Sequence, residues 1–298
     1  MLEWTGERFL PEAGAQIAYE HYSRYLYAQS FVEGKVVLDC PSGEGFGSNI
    51  LANKALSVQG LDIAQEAVNH SRENYKRSNL KFDLGDMTDL SSWPNGHFDV
   101  IVCMEGIEHV SEEKQILALH EFKRVLKADG KLLISTPNKR VYTDLSGVKN
   151  EYHEKEFYLD EYRTFLKQHF KQIKVLGQSI VSACPILDIE GSQVEPLKVS
   201  FFGSEKEIET PRGQLEDVWW YFIAVCTDGT EPIPLGSVFI DFQKRTEKET
   251  IKRYQDELDR IHLVKGSLEQ KILFLEKEIY KRHIFKRAVN FLKRKLRN

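Results

Sequence analysis

Two carboxylates and an imidazole fall within five residues of this chain, in the segment Glu105-Gly106-Ile107-Glu108-His109. Their three-and-four spacing places Glu105, Glu108 and His109 on one side of a helical turn. Crowding like charges beside an imidazole is unfavourable unless something holds them together. A divalent cation would do so, or His109 alone could serve as a general base. The plainer alternative is that the two glutamates cap the next helix and that His109 is packed.

A glycine-rich stretch occupies residues 39–47 (DCPSGEGFG), between an apolar run and a helical pattern. Glycine lets the backbone turn sharply and lets a ligand approach the main chain closely. Enzymes that bind dinucleotides use related loops, so the loop alone does not name its ligand. The cysteine in it, Cys40, belongs to no CxxC pair and is predicted to be a free thiol in a reducing compartment.

Two acidic residues end the next two predicted strands. Asp62 follows the run SVQGL and can accept both hydroxyls of a ribose, while Asp86, in Gly85-Asp86-Met87, can meet an adenine amino group. The carboxyl ends of strands line the crevice in which open α/β sheets bind ligands. The loop and the two aspartates together therefore predict a site for an adenosine-containing cofactor, whereas either aspartate alone could simply cap a turn.

The elements that position these residues alternate in type. Short apolar runs predict strands at residues 35–40, 57–62, 81–84, 98–104 and 131–135. Helical periodicity predicts one helix at 47–54, a second that follows the strand 57–62 and ends at residue 75, and a third at 112–126. This alternation predicts crossover units and a mostly parallel, open sheet. Further along, a helix is predicted at 159–169 and strands at 171–177 and 218–227. The irregular stretch 179–217 is predicted to be a substrate lid, since long insertions are usually functional or disordered.

Five segments resemble, in order and spacing, the motifs of class I S-adenosylmethionine-dependent methyltransferases. They are VVLDCPSGEGFGSNIL, GLDIAQEAV, GDMTDL, HFDVIVCMEGIEHV and RVLKADGKLLISTPN, and the resemblance covers residues 35–227. It implies an α/β fold with a Rossmann-like sheet over 34–228 and S-adenosylmethionine as cofactor. The implied cofactor contacts are Asp39, Ser42, Gly43, Gly45, Asp62, Ile63, Asp86, Met87 and Glu105. Pro41 stands where the family has its first glycine, and proline lacks the amide hydrogen that could contact a ligand there.

The E-x-x-E-H segment resembles that of metal-dependent O-methyltransferases acting on RNA 3′ ends and on quinone precursors. In those families a later histidine completes the site, and His153 occupies a similar place here, after STPN. The resemblance implies a divalent ion on Glu105, Glu108, His109 and His153, where Mg²⁺, Mn²⁺, Fe²⁺ and Zn²⁺ all suit the ligands. His109 as a direct base remains the alternative. Glu105, Glu108 and His109 are the implied catalytic residues.

The N-terminal segments 5–12 (TGERFLPE) and 20–25 (EHYSRY) resemble the opening of bacterial methyltransferases that decorate or cap surface polysaccharides, including O-antigen chain terminators. The resemblance implies a helical cap over residues 1–33 and substrate contacts from Arg8, His21, Arg24 and Tyr25. It also implies O-methylation of a sugar hydroxyl in a bacterial surface glycan or its lipid-linked precursor, as in a chain-terminating cap. The alternatives are an O-methyltransferase of a quinone-like phenol and an inactive coiled-coil scaffold.

A heptad pattern follows a predicted linker at 229–245. Nine positions alternate at spacings of three and four and are all apolar or aromatic except one: Ile251, Tyr254, Leu258, Ile261, Lys265, Leu268, Ile272, Leu275 and Ile279. This pattern predicts a coiled coil over 246–282 and a homo-oligomer, with Lys265 as a weak point in the seam.

The C-terminal segment 283–298 is predicted to be a basic amphipathic helix. Residues 281–298 carry eight Lys and Arg and no Asp or Glu, although the whole chain has a net charge of -4. Such a helix can dock on an anionic membrane or on a partner protein of glycan assembly. Nucleic acid is not an expected partner, because the rest of the chain is acidic. The sequence shows neither a signal peptide nor an apolar run of about 18 residues, which predicts a cytoplasmic protein, peripheral on the inner face of the plasma membrane.

Overall fold

A computed structural model describes residues 15–180, 201–204, 207–209 and 217–233, together with the single residues Arg260, Lys265, Gln270 and Lys271. The chain divides into two compact units, Met1–Ile240 and Asp241–Asn298. All of the helices and strands named below belong to the first unit.

Helices and strands alternate along the first unit as the sequence predicts. In chain order they are α1 (Ala15–Gln29), β1 (Val36–Asp39), α2 (Phe46–Leu51), β2 (Ser57–Asp62), α3 (Gln65–Asn74), β3 (Leu80–Leu84), β4 (Phe98–Cys103), α4 (Glu112–Val125), β5 (Leu126–Pro137), α5 (Leu159–Lys167), β6 (Gln172–Gln178), β7 (Phe201–Ser204), β8 (Glu207–Glu209) and β9 (Tyr221–Thr227). A 3₁₀ turn, Ile107–His109, follows β4, and a π-helix, Arg140–Leu145, follows β5.

Seven strands form one sheet in the order β3-β2-β1-β4-β5-β9-β6. The first five pair in parallel, whereas β9 runs antiparallel to both of its neighbours, β5 and β6. The order reverses between β1 and β4, which places a crevice at the carboxyl ends of these two strands. The predicted Rossmann-like sheet, open and mostly parallel, is confirmed.

The sheet is covered on both faces because its central strands are apolar on both sides. Along β4, Ile101 and Cys103 pack in a core with α4 and α5, while Val100 and Val102 pack in a second core with α1 and α2. Successive side chains of a strand point to opposite faces, so a strand covered on both sides reads as a continuous apolar run.

Three details differ from the sequence-based expectations. Strand β5 begins at Leu126 rather than at residue 131, and β9 begins at Tyr221 rather than at residue 218. The stretch 179–217 was expected to be irregular, but β7 and β8 form an antiparallel pair within it. The pairing of Phe202 with Ile208 supplies the backbone hydrogen bonds that an irregular segment would lack. The rest of the predicted lid lies outside the described residues.

The N-terminal cap and the tail are described only in part. Helix α1 packs against α2 in the second core, as a cap over residues 1–33 requires, but residues 1–14 lie outside the described ranges. In the tail, Arg260, Lys265, Gln270 and Lys271 are helical and exposed, and the other heptad positions and residues 283–298 are not described. The coiled coil and the basic helix therefore stay predictions. No helix among the described residues is long and apolar enough to cross a membrane.

Candidate active site

The glycine-rich loop turns from β1 into α2 by means of two residues in the left-handed region. Gly43 has φ 55° and Gly45 has φ 96°, conformations that disfavour side chains. A Cβ on Gly45 would also lie 2.8 Å from Oγ of Ser71 on α3. These two glycines let the loop pack closely against neighbouring elements such as α3, as predicted for a cofactor loop.

Asp39, at the end of β1, anchors the start of the loop through two side-chain hydrogen bonds. It is fully buried and accepts hydrogen bonds from Ser48 Oγ at 2.5 Å and from Tyr25 Oη at 3.1 Å. Burial raises the pKa of Asp39 to about 7, although the two hydrogen bonds oppose the shift. Asp39 and Tyr25 were predicted to touch cofactor and substrate, but the structure buries both of them between the loop and α1. Both side chains hold the loop in this arrangement, and the ligand contacts predicted for them stay predictions.

Asp62 shapes the loop by accepting two backbone hydrogen bonds. Its Oδ2 accepts from the Gly43 amide at 2.8 Å, and its Oδ1 accepts from the Ala64 amide at 2.9 Å. Asp62 is 6% exposed, and the ribose contact predicted for it stays a prediction. Ile63 beside it is 70% exposed, so its side chain is accessible to a ligand surface.

Asp86 has one of the two roles that the sequence left open, the capping of a turn, and its adenine contact stays a prediction. Its Oδ1 accepts hydrogen bonds from the amide and the hydroxyl of Thr88, at 2.9 and 2.8 Å, so it does cap a turn. Both of these bonds use one oxygen, and the side chain is only half-buried. Met87, by contrast, packs in the core beside Leu61 and presents little surface to a ligand.

Ser42 and Pro41 complete the crevice. The Ser42 hydroxyl is buried, and no group in the described part of the chain hydrogen-bonds to it, which suits a donor or acceptor that awaits a ligand. Pro41 packs against Gly106, where a Cβ would lie 2.3 Å from its ring. The proline ring thus fills the space between the loop and the turn after β4.

A group of three potential metal ligands lies beyond that turn. Glu108, His109 and His153 each offer one ligand atom, and these atoms lie within 4.8 Å of one another. Glu108 is 1% exposed, and within the described ranges neither carboxylate oxygen has a hydrogen-bond partner. Burial, reinforced by the neighbouring Glu105, raises the pKa of Glu108 well above its usual value. An orphaned carboxylate beside two imidazoles is the donor set that a divalent cation needs.

The segment after the π-helix carries His153 back to the end of β4. The amides of Glu154 and Lys155 both donate to the Glu108 carbonyl, at 2.8 and 3.2 Å. His109 Nδ1 lies 3.2 Å from the Tyr152 carbonyl, so the Nδ1–H tautomer donates there and leaves Nε2 as the acceptor. The rings of His109 and His153 are 5.0 Å apart.

Glu105 does not join this group, contrary to the prediction that it is a fourth ligand. Its backbone has φ 49°, and its Oε1 accepts from Ser135 Oγ at 2.6 Å and lies 3.7 Å from Arg24 Nη1. The left-handed conformation turns the side chain toward β5 and α1 instead of onto the 3₁₀ turn. Glu105 is therefore paired with Arg24 and Ser135 and is not part of the group of Glu108, His109 and His153.

Arg24 is fully buried and only partly satisfied. Its Nε donates to Gln178 Oε1 at 2.6 Å, and its guanidinium lies 4.2 Å from the centre of the Tyr221 ring. Neither Nη1 nor Nη2 has a hydrogen-bond acceptor among the residues that the structure describes. Such a guanidinium fits a carboxylate or phosphate group of a ligand.

Two further residues, His21 and Arg8, were predicted to contact the acceptor. His21 meets the Phe46 ring edge-on at 6.2 Å, and burial, with help from Arg24, holds its pKa well below the usual value. His21 is therefore neutral at the rim of the loop. Arg8 lies outside the described residues.

Several polar residues of the site were missed from the sequence. Tyr142 on the π-helix packs against the rings of His153 and Tyr221, at 5.4 and 5.9 Å. Asn150 and Glu156 both hydrogen-bond to His153. Although burial raises the pKa of Glu156, the hydrogen bonds from His153 and Thr143 outweigh it and hold that pKa below its usual value. The even spacing of positions 150, 153 and 156 was the available signal.

The sequence of this chain is similar to those of known methyltransferases. Residues 31–197 match the family model described as "Methyltransferase domain". A probable S-adenosylmethionine-dependent methyltransferase of Mycolicibacterium smegmatis is 32% identical over 144 residues, which are 48% of this chain and 54% of the relative. A ubiquinone biosynthesis O-methyltransferase of Idiomarina loihiensis is 30% identical over 181 residues, which are 59% of this chain and 72% of the relative.

A solved structure also has a similar fold. The PH0226 protein of Pyrococcus horikoshii has a TM-score of 0.53 at 17% identity, with 76% of this chain and 99% of that chain covered. The matches span 54% and 60% of the first curated relatives. The chain belongs to the S-adenosylmethionine-dependent methyltransferase family. S-adenosylmethionine is the cofactor of that family, and the orphaned Ser42 hydroxyl, the tight glycine loop and Asp62 fit it.

Proposed function

We propose that this protein is an O-methyltransferase that moves the methyl group of S-adenosylmethionine to a sugar hydroxyl of a bacterial surface glycan or its lipid-linked precursor, as in a chain-terminating cap. The observation that carries the oxygen acceptor is the buried, orphaned carboxylate of Glu108 beside His109 and His153. Such a group can hold and activate a hydroxyl, which favours an oxygen acceptor over a carbon acceptor.

The chemistry explains why activation is needed. Methyl transfer from a sulfonium is an in-line displacement, and it requires alignment and an unprotonated nucleophile. An aliphatic hydroxyl is a poor nucleophile at neutral pH until its proton is removed or its pKa is lowered. Glu108 and His109 lie on the turn that follows β4, whose carboxyl end borders the crevice, which supports a role for this turn in aligning and activating the acceptor.

A divalent ion fits the three ligands. Glu108, His109 and His153 would hold it, and a bound ion would supply Lewis acidity that lowers the pKa of an acceptor hydroxyl. The chain itself contributes a carboxylate that is already desolvated and a His109 imidazole that is oriented by the Tyr152 carbonyl. Without an ion, His109 Nε2 would accept the proton of the hydroxyl directly.

The remaining site residues bind and orient. We assign Asp62, Asp86, Ser42 and the Gly43 region to the nucleoside end of the cofactor. Arg24 carries two unsatisfied guanidinium nitrogens beside Glu105, and we assign it to an anionic group, either the carboxylate of the cofactor or an acidic group of the acceptor. His21 and Arg8 remain proposed contacts at the acceptor mouth.

The acceptor class has two candidates. A glycan is supported by the resemblance of residues 5–12 and 20–25 to polysaccharide methyltransferases. A quinone-like phenol is supported by relatives such as the Idiomarina loihiensis protein, whose name refers to ubiquinone biosynthesis. An inactive scaffold is disfavoured, because a scaffold has no need for a buried carboxylate that lacks partners.

The tail completes the proposal. We propose that residues 246–282 assemble a homo-oligomer and that residues 283–298 dock on an anionic membrane surface or on a partner of glycan assembly. This arrangement would keep the catalytic unit near a lipid-linked acceptor on the cytoplasmic side of the membrane.

The test is an assay of S-adenosylhomocysteine formation with two acceptor sets, methyl glycosides that carry neighbouring hydroxyls and simple catechols. Turnover of the glycosides, lost in EDTA and restored by a divalent ion, would support the proposal. Turnover of catechols alone would replace the glycan by the phenol. Full activity in EDTA would remove the metal and leave His109 as the base.

A further inference from the structure

The hydrogen bonds of His153 determine which ring nitrogen is available to a ligand. Nδ1 lies 2.6 Å from Glu156 Oε1, and Nε2 lies 2.9 Å from the side-chain nitrogen of Asn150. An ionised carboxylate can only accept a hydrogen bond, and an amide nitrogen can only donate one. The two contacts therefore demand that Nδ1 carry the hydrogen and that Nε2 be the acceptor.

Glu156 is itself held in place. It is buried, and its second oxygen, Oε2, accepts from Thr143 Oγ1 at 2.6 Å. Thr143 belongs to the π-helix, and its neighbour Tyr142 packs against the His153 ring at 5.4 Å. π-Helices are rare and frequently lie at functional sites. The chain Thr143–Glu156–His153 thus links the backbone after β5 to one imidazole nitrogen.

We propose that Glu156 is a positioning residue, which with Thr143 holds His153 as the Nδ1–H tautomer and so keeps Nε2 as the ligand atom of the site. The proposal rests on the proposed function in that Nε2 serves a cation or an acceptor hydroxyl. Carboxylate–histidine pairs of this kind fix the orientation of metal-bound imidazoles and raise their basicity.

Asn150 has the complementary role. Its amide nitrogen occupies Nε2, and its Oδ1 accepts from the Tyr152 amide at 3.1 Å, so the side chain is anchored at both ends. A cation or hydroxyl must replace this amide at Nε2. Asn150 therefore keeps the acceptor nitrogen hydrogen-bonded in the buried site, while Glu156 prevents the ring from taking the other tautomer.

The first experiment reads the tautomer directly. The full chain is labelled with ¹⁵N-histidine, and the His153 signals are assigned by their loss in His153→Gln. We expect the Nδ1–H pattern in the natural protein and a gain of the Nε2–H form in Glu156→Leu. Glu154→Leu is the matched control, because Glu154 is an exposed neighbour, and it should leave the pattern unchanged. An Nδ1–H pattern that persists in Glu156→Leu would assign the tautomer to the Asn150 contact alone and would overturn the proposal.

The second experiment measures Mn²⁺ binding to the same proteins by calorimetry. Glu156→Leu should weaken Mn²⁺ binding by about 10–100-fold, the usual effect of removing such a partner, and Glu156→Asp should recover part of it. Affinity for S-adenosylhomocysteine should not change. Equal Mn²⁺ affinity in the natural protein and in Glu156→Leu would contradict the proposal. If the natural protein binds no divalent ion but the tautomer shifts as expected, the metal in the proposed function is wrong, and the positioning role of Glu156 stands.

Discussion

At the scale of single residues, the site contains polar groups that folding alone does not explain. Buried polar atoms are nearly always hydrogen-bonded, since an unsatisfied group costs about 1–3 kcal/mol. Ser42, Arg24 and Glu108 nevertheless carry buried atoms without hydrogen-bond partners within the described part of the chain. Ser42 belongs to the glycine loop, Glu108 belongs to the turn after β4, and Arg24 lies 3.7 Å from Glu105, which precedes that turn.

The orphaned carboxylate predicts opposite effects on activity and stability. In Glu108→Leu we expect turnover to be abolished, because the group that holds the cation or hydroxyl is gone. The melting temperature should stay the same or rise, since an apolar side chain of similar size relieves an unsatisfied buried acid. Calorimetry should show unchanged binding of S-adenosylhomocysteine. A marked fall in melting temperature would instead mean that Glu108 is a structural residue.

The ribose contact is tested at Asp62. Asp62→Ala should weaken S-adenosylmethionine binding by about 1.5–3 kcal/mol, as expected for hydrogen bonds to a charged group. Asp83→Ala is the matched control, because Asp83 is an exposed acid on the neighbouring strand that pairs with Arg72. Isothermal titration of both variants decides the matter, and equal affinity in the two would remove Asp62 from the cofactor site.

The anion held by Arg24 can be identified with two ligands. S-adenosylhomocysteine carries the amino-acid carboxylate, whereas 5′-methylthioadenosine lacks it. If Arg24 binds that carboxylate, Arg24→Met should weaken the first ligand and leave the second unaffected, because only the first loses a charge-assisted hydrogen bond. If both affinities are unchanged while the acceptor KM rises, Arg24 belongs to the acceptor. A loss of both affinities would indicate that the variant has disturbed the fold around Glu105.

At the scale of elements, α1 and the cofactor loop form one packed unit. Tyr25 on α1 lies over Gly47, where a Cβ would be 2.0 Å from the ring, and its hydroxyl reaches Asp39 under the loop. The N-terminal helix therefore does more than cover the site, because it determines how the loop lies.

Gly47→Ala tests this packing. The added methyl should force Tyr25 away and lower stability by about 1–3 kcal/mol, the usual range for an overpacked core. The same substitution in a Tyr25→Ala background should have a much smaller effect, because the space is then open. Thermal unfolding of the four proteins gives the coupling between the two positions. Additive effects would show that Tyr25 and Gly47 do not contact each other.

The sequence predicted which loops and strand ends carry the site better than it predicted the positions and partners of individual side chains. The glycine loop, Asp62 and the segment after β4 could be located because each follows a buried strand that the apolar pattern reveals. The position of Glu105 could not be predicted, because its left-handed backbone depends on Ser135 and Arg24 from distant elements. The neighbours of His153 were also missed. Asn150 and Glu156 lie in a segment without regular secondary structure, and Tyr142 lies on a π-helix, which has no periodic signature as short as one turn.

At the scale of the whole molecule, the basic charge concentrated in the tail needs an explanation, because the catalytic unit has no use for it. Residues 281–298 carry eight basic residues and no acidic ones, in a chain whose net charge is -4. A short basic amphipathic helix binds anionic bilayers weakly and reversibly. An oligomer that presents several such helices raises their effective concentration at the surface and turns weak binding into avidity.

Deletion of residues 283–298 should therefore release the protein from anionic liposomes without reducing methylation of a short soluble acceptor. Replacing Leu268 and Leu275 by Asp should dissociate the oligomer and also weaken liposome binding, although no lipid-facing residue has changed. Binding should fall as salt rises, because the Debye length shrinks from about 10 Å at 0.1 M to about 3 Å at 1 M. Co-sedimentation and analytical ultracentrifugation measure the two effects. If the truncated protein still sediments with anionic liposomes, membrane docking by this segment is wrong, and its basic residues are better assigned to a protein partner.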